Sequence, residues 1–278
     1  MDLSIIIVSW NVREKLRANL AALLRSATNF ELEIFVVDNN SADDSAQMVK
    51  TEFPAVQLIA NTTNLGFSKA NNQAIKKAVG RFILLLNPDM EVETDTLDNI
   101  LKWAISNPQA TVIGCQLIGA EGRIIRQIRR FPGFFDQLMI TLKIPHLFPG
   151  VVNKYLCSRF DYSQAAEVDS IRGSFFLINQ ESYHKISGSK WPLLDERYFI
   201  WFEEVDFCRQ VYQLGGEVWY TPTARCLDYI GASFSQVRRG RSQEYFRDSM
   251  LQYFAKWEPQ WQYQILKKAW GLVRIFIK

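Results

Sequence analysis

The chain has few of the residues that build metal clusters, disulfide frameworks or membrane spans. Its 278 residues include two histidines and four cysteines, and no two cysteines form a Cys-x-x-Cys pair. This spacing argues against a zinc knuckle or a disulfide scaffold and favours a reducing compartment. No stretch approaches the roughly 20 apolar residues of a membrane span. The first apolar run follows Asp2 rather than a basic region, so we expect no export signal.

Net charge is also small, at +3. A general nucleic-acid binder would carry more positive charge, so we expect no nucleic-acid partner. The basic residues are unevenly distributed along the chain. One group is Arg238, Arg239 and Arg241, and another is Lys267, Lys268, Arg274 and Lys278. Apolar residues make up 48% of the chain, enough for the core of a globular protein.

The first half of the chain alternates strand and helix patterns. Apolar runs predict strands at 3–8, 34–37, 56–60, 81–86 and 111–118. Helical spacing predicts helices near 16–24, after the Ser41 cap, at 69–79 and at 94–107. This order predicts an α/β fold with a mostly parallel, twisted sheet and helices on both faces.

The second half shows longer irregular stretches. Residues 119–135 and 145–150 lack periodicity and are expected to be loops. A strand at 168–178, a helix at 203–214 and a short strand at 217–220 follow. From residue 243 the pattern is helical, so we divide the chain into a catalytic domain, 1–242, and a helical tail, 243–278.

Polar side chains follow several predicted strands. The apolar run 81–86 ends in Asn87-Pro88-Asp89, and two other strands end at Asp38 and near Asn64. In an open parallel sheet, ligands bind beyond the carboxyl ends of the strands. The alternatives are a turn aspartate at Asp89 and an Asx turn at Asp38. Asn71 and Asn72 lie one helical turn beyond residues 66–68 and are either surface amides or ligand contacts.

Three acids occupy the first turn of the helix predicted at 203–214, after a mostly aromatic run. Acids at a helix N-terminus interact favourably with the helix dipole, by about 0.3–1 kcal/mol, and this alone accounts for their presence. It does not account for the aromatic residues before them. Carboxylates framed by aromatic surface also suit sugar binding and a base whose pKa is raised by desolvation.

In this order and spacing, these segments resemble the family 2 glycosyltransferases of GT-A fold, and within them the rhamnosyltransferase-like group. The resemblance runs from Leu3 to Trp257 and is carried by residues 4–11, 37–41, 64–67, 71–72, 84–89, 195–199 and 203–208. It implies a Rossmann-like central sheet flanked by helices, with a C-terminal helical tail.

The resemblance also implies roles for individual residues. Donor nucleotide contacts fall on Ser9, Asn11, Asp38, Asn64 and Gly66. Asp89 stands where the family binds the divalent metal, Mg²⁺ or Mn²⁺, that holds the donor diphosphate, and Glu204 stands at the general base. The loop with Arg238, Arg239 and Arg241 would neutralise the leaving diphosphate; the alternative is a solvated loop.

Two positions depart from the family pattern. The family commonly has Glu-Asp-Val-Asp, whereas this chain has Glu203-Glu204-Val205-Asp206. The family's metal-holding histidine is replaced by Asp228, which remains a good ligand for a hard cation. These changes leave open a catalytically silent module that binds nucleotide sugars.

The leading interpretation is an inverting, metal-dependent glycosyltransferase. It would move a sugar, with rhamnose as one candidate, from a nucleoside-diphosphate donor to a saccharide or lipid-linked acceptor in surface polysaccharide assembly. The absence of a Gln-x-x-Arg-Trp motif favours a non-processive enzyme. A sugar nucleotidyltransferase is a weaker alternative, because it would normally carry an early Gly-rich phosphate loop.

The tail combines apolar residues at helical spacing with Lys267, Lys268, Arg274 and Lys278. A basic amphipathic helix of this kind can lie on an anionic membrane. It can also pack on the catalytic domain or on a second copy in a homodimer. We therefore expect a cytoplasmic protein, with peripheral contact at the inner membrane as one alternative.

Overall fold

Nine strands form one mixed sheet in the computed structural model, which describes residues 1–229 and 239–275. The strands are β1 Leu3–Ser9, β2 Leu32–Asp38, β3 Gln57–Ala60, β4 Phe82–Leu86, β5 Met90–Val92, β6 Ala110–Ile118, β7 Ala166–Glu167, β8 Phe175–Asn179 and β9 Glu217–Asp228. The α-helices are α1 Arg13–Arg25, α2 Ser45–Glu52, α3 Phe67–Ile75, α4 Thr96–Ser106, α5 Phe134–Thr141, α6 Pro149–Tyr155, α7 Gln180–Ser187, α8 Glu203–Gln213, α9 Arg239–Trp257 and α10 Gln260–Ile275. A 3₁₀ turn, Pro145–Leu147, precedes α6.

The strand order is β3-β2-β1-β4-β8-β6-β9-β5, and β7 pairs with β9. β1 to β4 are parallel, β8 is antiparallel to β4 and β6, and β9 is parallel to β6. β5 and β7 run antiparallel to β9, so most strands share one direction. The predicted α/β fold with a mostly parallel sheet is confirmed.

The central strands are apolar on both faces because helices cover both. β1 and β4 are buried at every position. One hydrophobic cluster joins the sheet to α1, α2 and α4, and a second joins its other face to α3, α7 and α8. Strands buried in this way read as continuous apolar runs, and such runs are what the sequence showed.

The C-terminal helices pack on the same body through a third cluster. Met250, Tyr253 and Phe254 of α9 and Leu266 of α10 are buried against Tyr198, Phe202 and Val205. α9 begins at Arg239, so the predicted boundary at residue 242 falls inside this helix. The structure thus shows the tail packed on the catalytic body, and the division into two domains stays a prediction.

Several predicted elements differ from the structure. Residues 145–150 were expected to be irregular but hold a 3₁₀ turn and the start of α6, since proline fits the first turn of a helix. The strand expected at 168–178 is confined to β8, because a turn at Gly173 interrupts the apolar run. The strand expected at 217–220 continues to Asp228, and Pro222 lies where the β6–β9 register shifts.

Some boundaries and short elements also differ. The helix expected at 69–79 spans Phe67–Ile75. The sequence analysis did not predict β5, β7 or α7. α5 begins inside the segment 119–135, which was expected to be a loop. β5 and β7 have only three and two residues, too few for a periodic pattern to show.

Candidate functional site

A cleft of about 1000 Å³ opens beyond the carboxyl ends of the N-terminal strands. The ends of β1, β2 and β4, with the loop at Asn64 and Gly66, contribute the lining residues up to Asp89, which we call the N-terminal wall. The segment from Phe199 through the N-terminus of α8, with the start of α9, contributes those that we call the C-terminal wall, and Arg172 and Asp228 also line the cleft. The lining includes Asn39, Asn64, Gly66, Asp89, Arg172, Phe199, Trp201, Glu203, Glu204, Asp228, Arg241 and Tyr245.

The Asn87-Pro88-Asp89 turn is held from behind by α1. The buried side-chain amide of Asn19 donates to the carbonyl oxygens of Asn87, at 3.0 Å, and Met90, at 2.8 Å. Asp89 lines the cleft and is 5% exposed. The sequence analysis missed Asn19, although an asparagine on the apolar face of α1, beside Leu16 and Leu20, was a signal for it.

Amides from two loops form one hydrogen-bonded network at the cleft wall. The Asn39 amide nitrogen donates to Asn64 Oδ1, at 2.9 Å, and to the Gly66 carbonyl, at 3.1 Å. Asn39 Oδ1 accepts from the Leu65 backbone N–H at 3.0 Å. This network fixes the position of two predicted nucleotide contacts, Asn64 and Gly66, and Asn39 holds them.

Gly66 permits a close approach between the two halves of the chain. It adopts φ 84°, and a Cβ there would lie 2.5 Å from the Phe199 carbonyl oxygen. The Phe67 backbone N–H donates to that same oxygen at 2.6 Å. Any larger residue at Gly66 would therefore separate Phe199 from the N-terminal wall.

Ser9, Asn11 and Asp38 lie just behind the cleft. Ser9 and Asp38 are register partners on β1 and β2, and both are buried. Asp38 Oδ2 accepts from the Ser41 backbone N–H at 3.0 Å, three residues on, so this oxygen holds the turn after β2 without the two-residue spacing of an Asx turn. Asp38 Oδ1 and Ser9 Oγ have no hydrogen-bond partner in the described part of the chain. Asn11 Oδ1 accepts from the Ala42 backbone N–H at 2.6 Å.

Asn71 and Asn72 are neither surface amides nor cleft residues. Both are buried on α3. Asn72 donates to the Leu194 carbonyl at 2.8 Å and accepts from the Leu194 backbone N–H at 2.9 Å. This paired contact ties α3 to the segment that leads into α8, which is a structural role.

Glu203 and Glu204 form an acidic pair at the first turn of α8. Both line the cleft, Glu203 is 5% exposed, and each keeps one buried oxygen without a hydrogen-bond partner among residues 1–229 and 239–275. Burial, and then the neighbouring Glu204 carboxylate, hold the pKa of Glu203 well above its usual range. Burial also raises the pKa of Glu204. A carboxylate pair of this kind can exchange a proton with a bound ligand.

Asp206, the third acid of the motif, has a structural role. Its carboxylate accepts from Lys256 Nζ at 2.6 Å, Trp257 Nε1 at 2.6 Å and the Tyr198 hydroxyl at 3.0 Å. Two of these partners lie on α9. The helix that carries the acidic pair is therefore fastened to the C-terminal tail.

Asp228 lies beside Asp89 at the end of the β5–β9 ladder. Asp228 pairs in register with Met90, and the Tyr229 backbone N–H donates to the Asp89 carbonyl at 3.3 Å. Arg172 Nη1 lies 3.3 Å from Asp228 Oδ2. Two carboxylates suit Mg²⁺ or Mn²⁺, which commonly take one or two protein carboxylates and complete their shell with substrate phosphates. Within the described residues, no group of three or more His, Cys, Asp or Glu is placed to hold a metal ion.

The arginine cluster is described only in part. Arg238 and the side chain of Arg239 lie outside the described residues. Arg241 lines the cleft, and its guanidinium carbon lies 5.7 Å from the centre of the Tyr245 ring. Tyr245 stacks on Phe199, with ring centres 4.6 Å apart. Arg241, which the resemblance assigned to the diphosphate, thus lines the cleft together with Tyr245, which the sequence analysis did not name.

The match to known families covers the N-terminal two thirds of the chain. The family model described as "Glycosyl transferase family 2" matches residues 4–187. An N-acetylglucosaminyl-diphospho-decaprenol L-rhamnosyltransferase of Mycobacterium tuberculosis is 25% identical over 240 residues, covering 82% of this chain and 76% of that protein. Rhamnosyltransferase WbbL of Escherichia coli is 25% identical over 173 residues, covering 59% of this chain and 61% of that protein.

Solved structures share the fold. A mannosyltransferase of Pyrobaculum calidifontis, solved with GDP-Man and Mn²⁺, has a TM-score of 0.59 at 16% identity, covering 97% of this chain and 69% of the other. Residues 1–349 of TarS of S. aureus give a TM-score of 0.55 at 15% identity, covering 92% and 73%. These likenesses confirm the GT-A fold. Because the family match spans more than half of the chain, this chain belongs to glycosyl transferase family 2 and is a glycosyltransferase.

Proposed function

We propose that the chain transfers a sugar from a nucleoside-diphosphate donor to a saccharide or lipid-linked acceptor, with inversion at the anomeric carbon. The observation that carries the proposal is the convergence of Asp89, Asp228 and the Glu203–Glu204 pair in one cleft beside the Asn64–Gly66 loop. Rhamnose is the candidate sugar because two relatives are named rhamnosyltransferases. Surface polysaccharide assembly is the matching process.

The N-terminal wall would bind the donor. Asn64 and Gly66 line the cleft, while Ser9, Asn11 and Asp38 support the loops beside it. The unpaired Asp38 Oδ1 and Ser9 Oγ are hydrogen-bond acceptors within this wall. A donor nucleotide that reached them would gain bonds without breaking existing ones, which favours binding.

Asp89 and Asp228 would hold a divalent cation together with the donor phosphates. A bound Mg²⁺ or Mn²⁺ would neutralise negative charge on the leaving nucleoside diphosphate. Arg241 stands at the cleft edge as a further positive charge, and Arg238 and Arg239 are assigned to the same phosphates from the sequence resemblance. Arg172 would orient the Asp228 carboxylate through the ion pair at 3.3 Å.

Glu204 would act as the general base. It would take the proton from an acceptor hydroxyl while that oxygen attacks the anomeric carbon from the face opposite the diphosphate. Burial raises the pKa of this carboxyl, which brings its proton affinity closer to that needed near neutral pH. A single displacement of this kind inverts the configuration, and release after each transfer makes the enzyme non-processive.

A thermal-shift panel tests the donor site. Nucleoside diphosphates at about 100 times their Kd should stabilise the native protein by about 2.7 kcal/mol, with manganese increasing the effect. Asp89→Ala should abolish the manganese-dependent part while the unliganded melting temperature stays close to wild type. Unchanged manganese dependence in that variant would remove Asp89 from the site.

One observation favours a second candidate, a silent nucleotide-sugar-binding module. Asp228, which replaces the family histidine, is already paired with Arg172. Donor turnover separates the two functions. A protein that binds the nucleotide but neither transfers nor slowly hydrolyses the donor would be the silent module.

A further inference from the structure

We propose that α5, the 3₁₀ turn, α6 and α10 together form a docking face for an anionic lipid bilayer. We call this surface the α5/α6/α10 face and define it by residues 134–155 and 260–272. The inference rests on the proposed lipid-linked acceptor, since a bilayer is where such an acceptor would be met. It adds a segment, 134–155, that carries no role in the sugar-transfer site.

Exposed apolar side chains are concentrated on this face. Fourteen large apolar side chains are exposed in the described part of the chain, and half of them lie in these two segments, which are a small part of its length. They are Phe135, Leu147, Phe148, Val151, Trp261, Ile265 and Leu272. Scattered exposed apolar residues are normal, but a concentration of this kind marks an interaction surface.

The two segments are in contact, so they form one surface. α5 packs against α6 and against α10. Phe134 joins them directly, with its ring centre 5.3 Å from Phe135 and 5.0 Å from Trp261. Below this layer, Leu266 of α10 is buried in the third hydrophobic cluster, which holds the helix in place.

Charge on the same segments selects an anionic partner. Residues 134–155 and 260–272 contain four basic residues, Lys143, Lys154, Lys267 and Lys268, and one acid, Asp136. The Asp136 carboxylate accepts from the Gly133 backbone N–H at 3.0 Å and so caps α5. Apolar side chains with lysines and few acids suit a bilayer of anionic lipids, whereas an interface between two copies would bring these like charges together.

The α5/α6/α10 face adjoins the C-terminal wall of the cleft. Trp201 lines the cleft and contacts Phe246 at 6.3 Å between ring centres. Phe246 in turn contacts Trp270 of α10 at 6.3 Å. A bilayer on this face would thus lie near the wall that carries Glu203 and Glu204. No helix in the described ranges is long and apolar enough to cross a membrane, so the contact proposed is peripheral.

The test is flotation of the full chain with vesicles of phosphatidylglycerol and phosphatidylethanolamine, against vesicles of phosphatidylcholine alone. Wild type should float with the anionic vesicles at low salt and be released as salt rises. The triple variant Phe135→Ser, Leu147→Ser, Phe148→Ser should lose at least about tenfold in partitioning, through lost apolar burial. The matched control Leu24→Ser, Val79→Ser, Ile105→Ser removes three equally exposed apolar side chains elsewhere and should float as wild type does.

A second pair of variants tests the charge. Lys267→Gln, Lys268→Gln should weaken partitioning about tenfold or more, since each lysine near an anionic surface contributes about 1 kcal/mol. Lys76→Gln, Lys77→Gln alters an exposed lysine pair on another surface and should not change it. Equal flotation of wild type and all variants would overturn the proposal, as would wild type that stays unbound.

Two further measurements distinguish a bilayer-docking face from a dimer interface, and test it independently of the proposed function. Sedimentation velocity should show wild type and the apolar triple variant with the same oligomeric state; a dimer lost in that variant would assign the face to a second copy instead. Nucleoside diphosphate stabilisation with manganese should persist in every variant of the face. Vesicle binding without any nucleotide binding would retain the docking face and refute the proposed function.

Discussion

The amide network on the N-terminal wall of the cleft and the acidic pair on the C-terminal wall differ in how completely their polar groups are paired. On the N-terminal wall, the side-chain amides of Asn39 and Asn64 bond to each other and to the backbone beside them. On the C-terminal wall, Glu203 and Glu204 each keep an unpaired buried oxygen. The backbone there is also strained, since Trp201 and Phe202 adopt φ 65° and 67°.

This difference separates binding from chemistry. A fully paired network holds its loops in one geometry before any ligand arrives, which suits recognition of a nucleotide. Unpaired acids and left-handed non-glycine residues each cost about 1–3 kcal/mol, and such features persist where the surrounding structure compensates them. Here Asp206 and its α9 partners supply that compensation, by fastening α8 to the tail.

The largest expected effect is on the C-terminal wall. Glu204→Gln should lower transfer by about 10²–10⁴, the usual contribution of a general base, because the amide cannot accept the acceptor proton. Donor binding, measured by thermal shift, should be retained. Glu203→Gln is the matched control, and its loss should be much smaller. If Glu203 is the more sensitive residue, the base is assigned to the wrong member of the pair.

Breaking the contact between Asp206 and α9 should show how much it contributes to the stability of the protein. Lys256→Met removes the cationic partner of Asp206, which is 1% exposed and keeps its hydrogen bonds to Trp257 and Tyr198. The free energy of unfolding, measured by urea denaturation, should fall by about 3 kcal/mol. Arg123→Met is the control, because it removes an ion pair with Glu121 in which both side chains are exposed, and should cost about 0.5 kcal/mol or less. Equal losses in the two variants would mean that the tail contact contributes no more than a surface pair.

The N-terminal wall should respond through binding and stability together. Asn39→Ala leaves the Leu65 N–H and Asn64 Oδ1 without this partner and should cost about 1–3 kcal/mol of unfolding free energy. Nucleotide stabilisation should weaken as well, since the Asn64–Gly66 loop loses its support. Asn99→Ala removes an amide that bonds only at the α4 surface and should leave both quantities near wild type. Retained nucleotide affinity in Asn39→Ala would show that the network is structural only.

The smallest effect concerns pH. The pKa of Glu203 is raised on folding by burial, so the native state holds its proton more tightly than the unfolded chain. The free energy of unfolding should therefore fall as pH rises from the ordinary glutamate value towards the raised one. Glu203→Gln should remove this fall and exceed wild type by about 1 kcal/mol at the upper end. If the free energy of unfolding changes with pH in the same way in both proteins, the pKa of Glu203 is not raised on folding.

The N-terminal half was largely predictable because its signals are local. A strand buried on both faces is a continuous apolar run, and the run that ends in Asn87-Pro88-Asp89 predicts Asp89 at the sheet edge. The polar residues after β2 and β3 were found in the same way. The C-terminal half was harder, since α6 begins at a proline and β9 continues through Pro222, and both residues normally suggest an interruption.

The features of the site also divide into those that a local sequence pattern predicts and those that depend on long-range contacts. The sequence by itself determined that carboxylates follow strands and open α8, because these patterns lie within a few residues of one another. Only the tertiary structure decided that Asn19 holds the Asn87-Pro88-Asp89 turn, that Arg172 pairs with Asp228, and that Asp206 fastens α8 to the tail. These contacts join residues that are far apart in the chain, and no local pattern encodes them. The packing of distant segments against one another creates them.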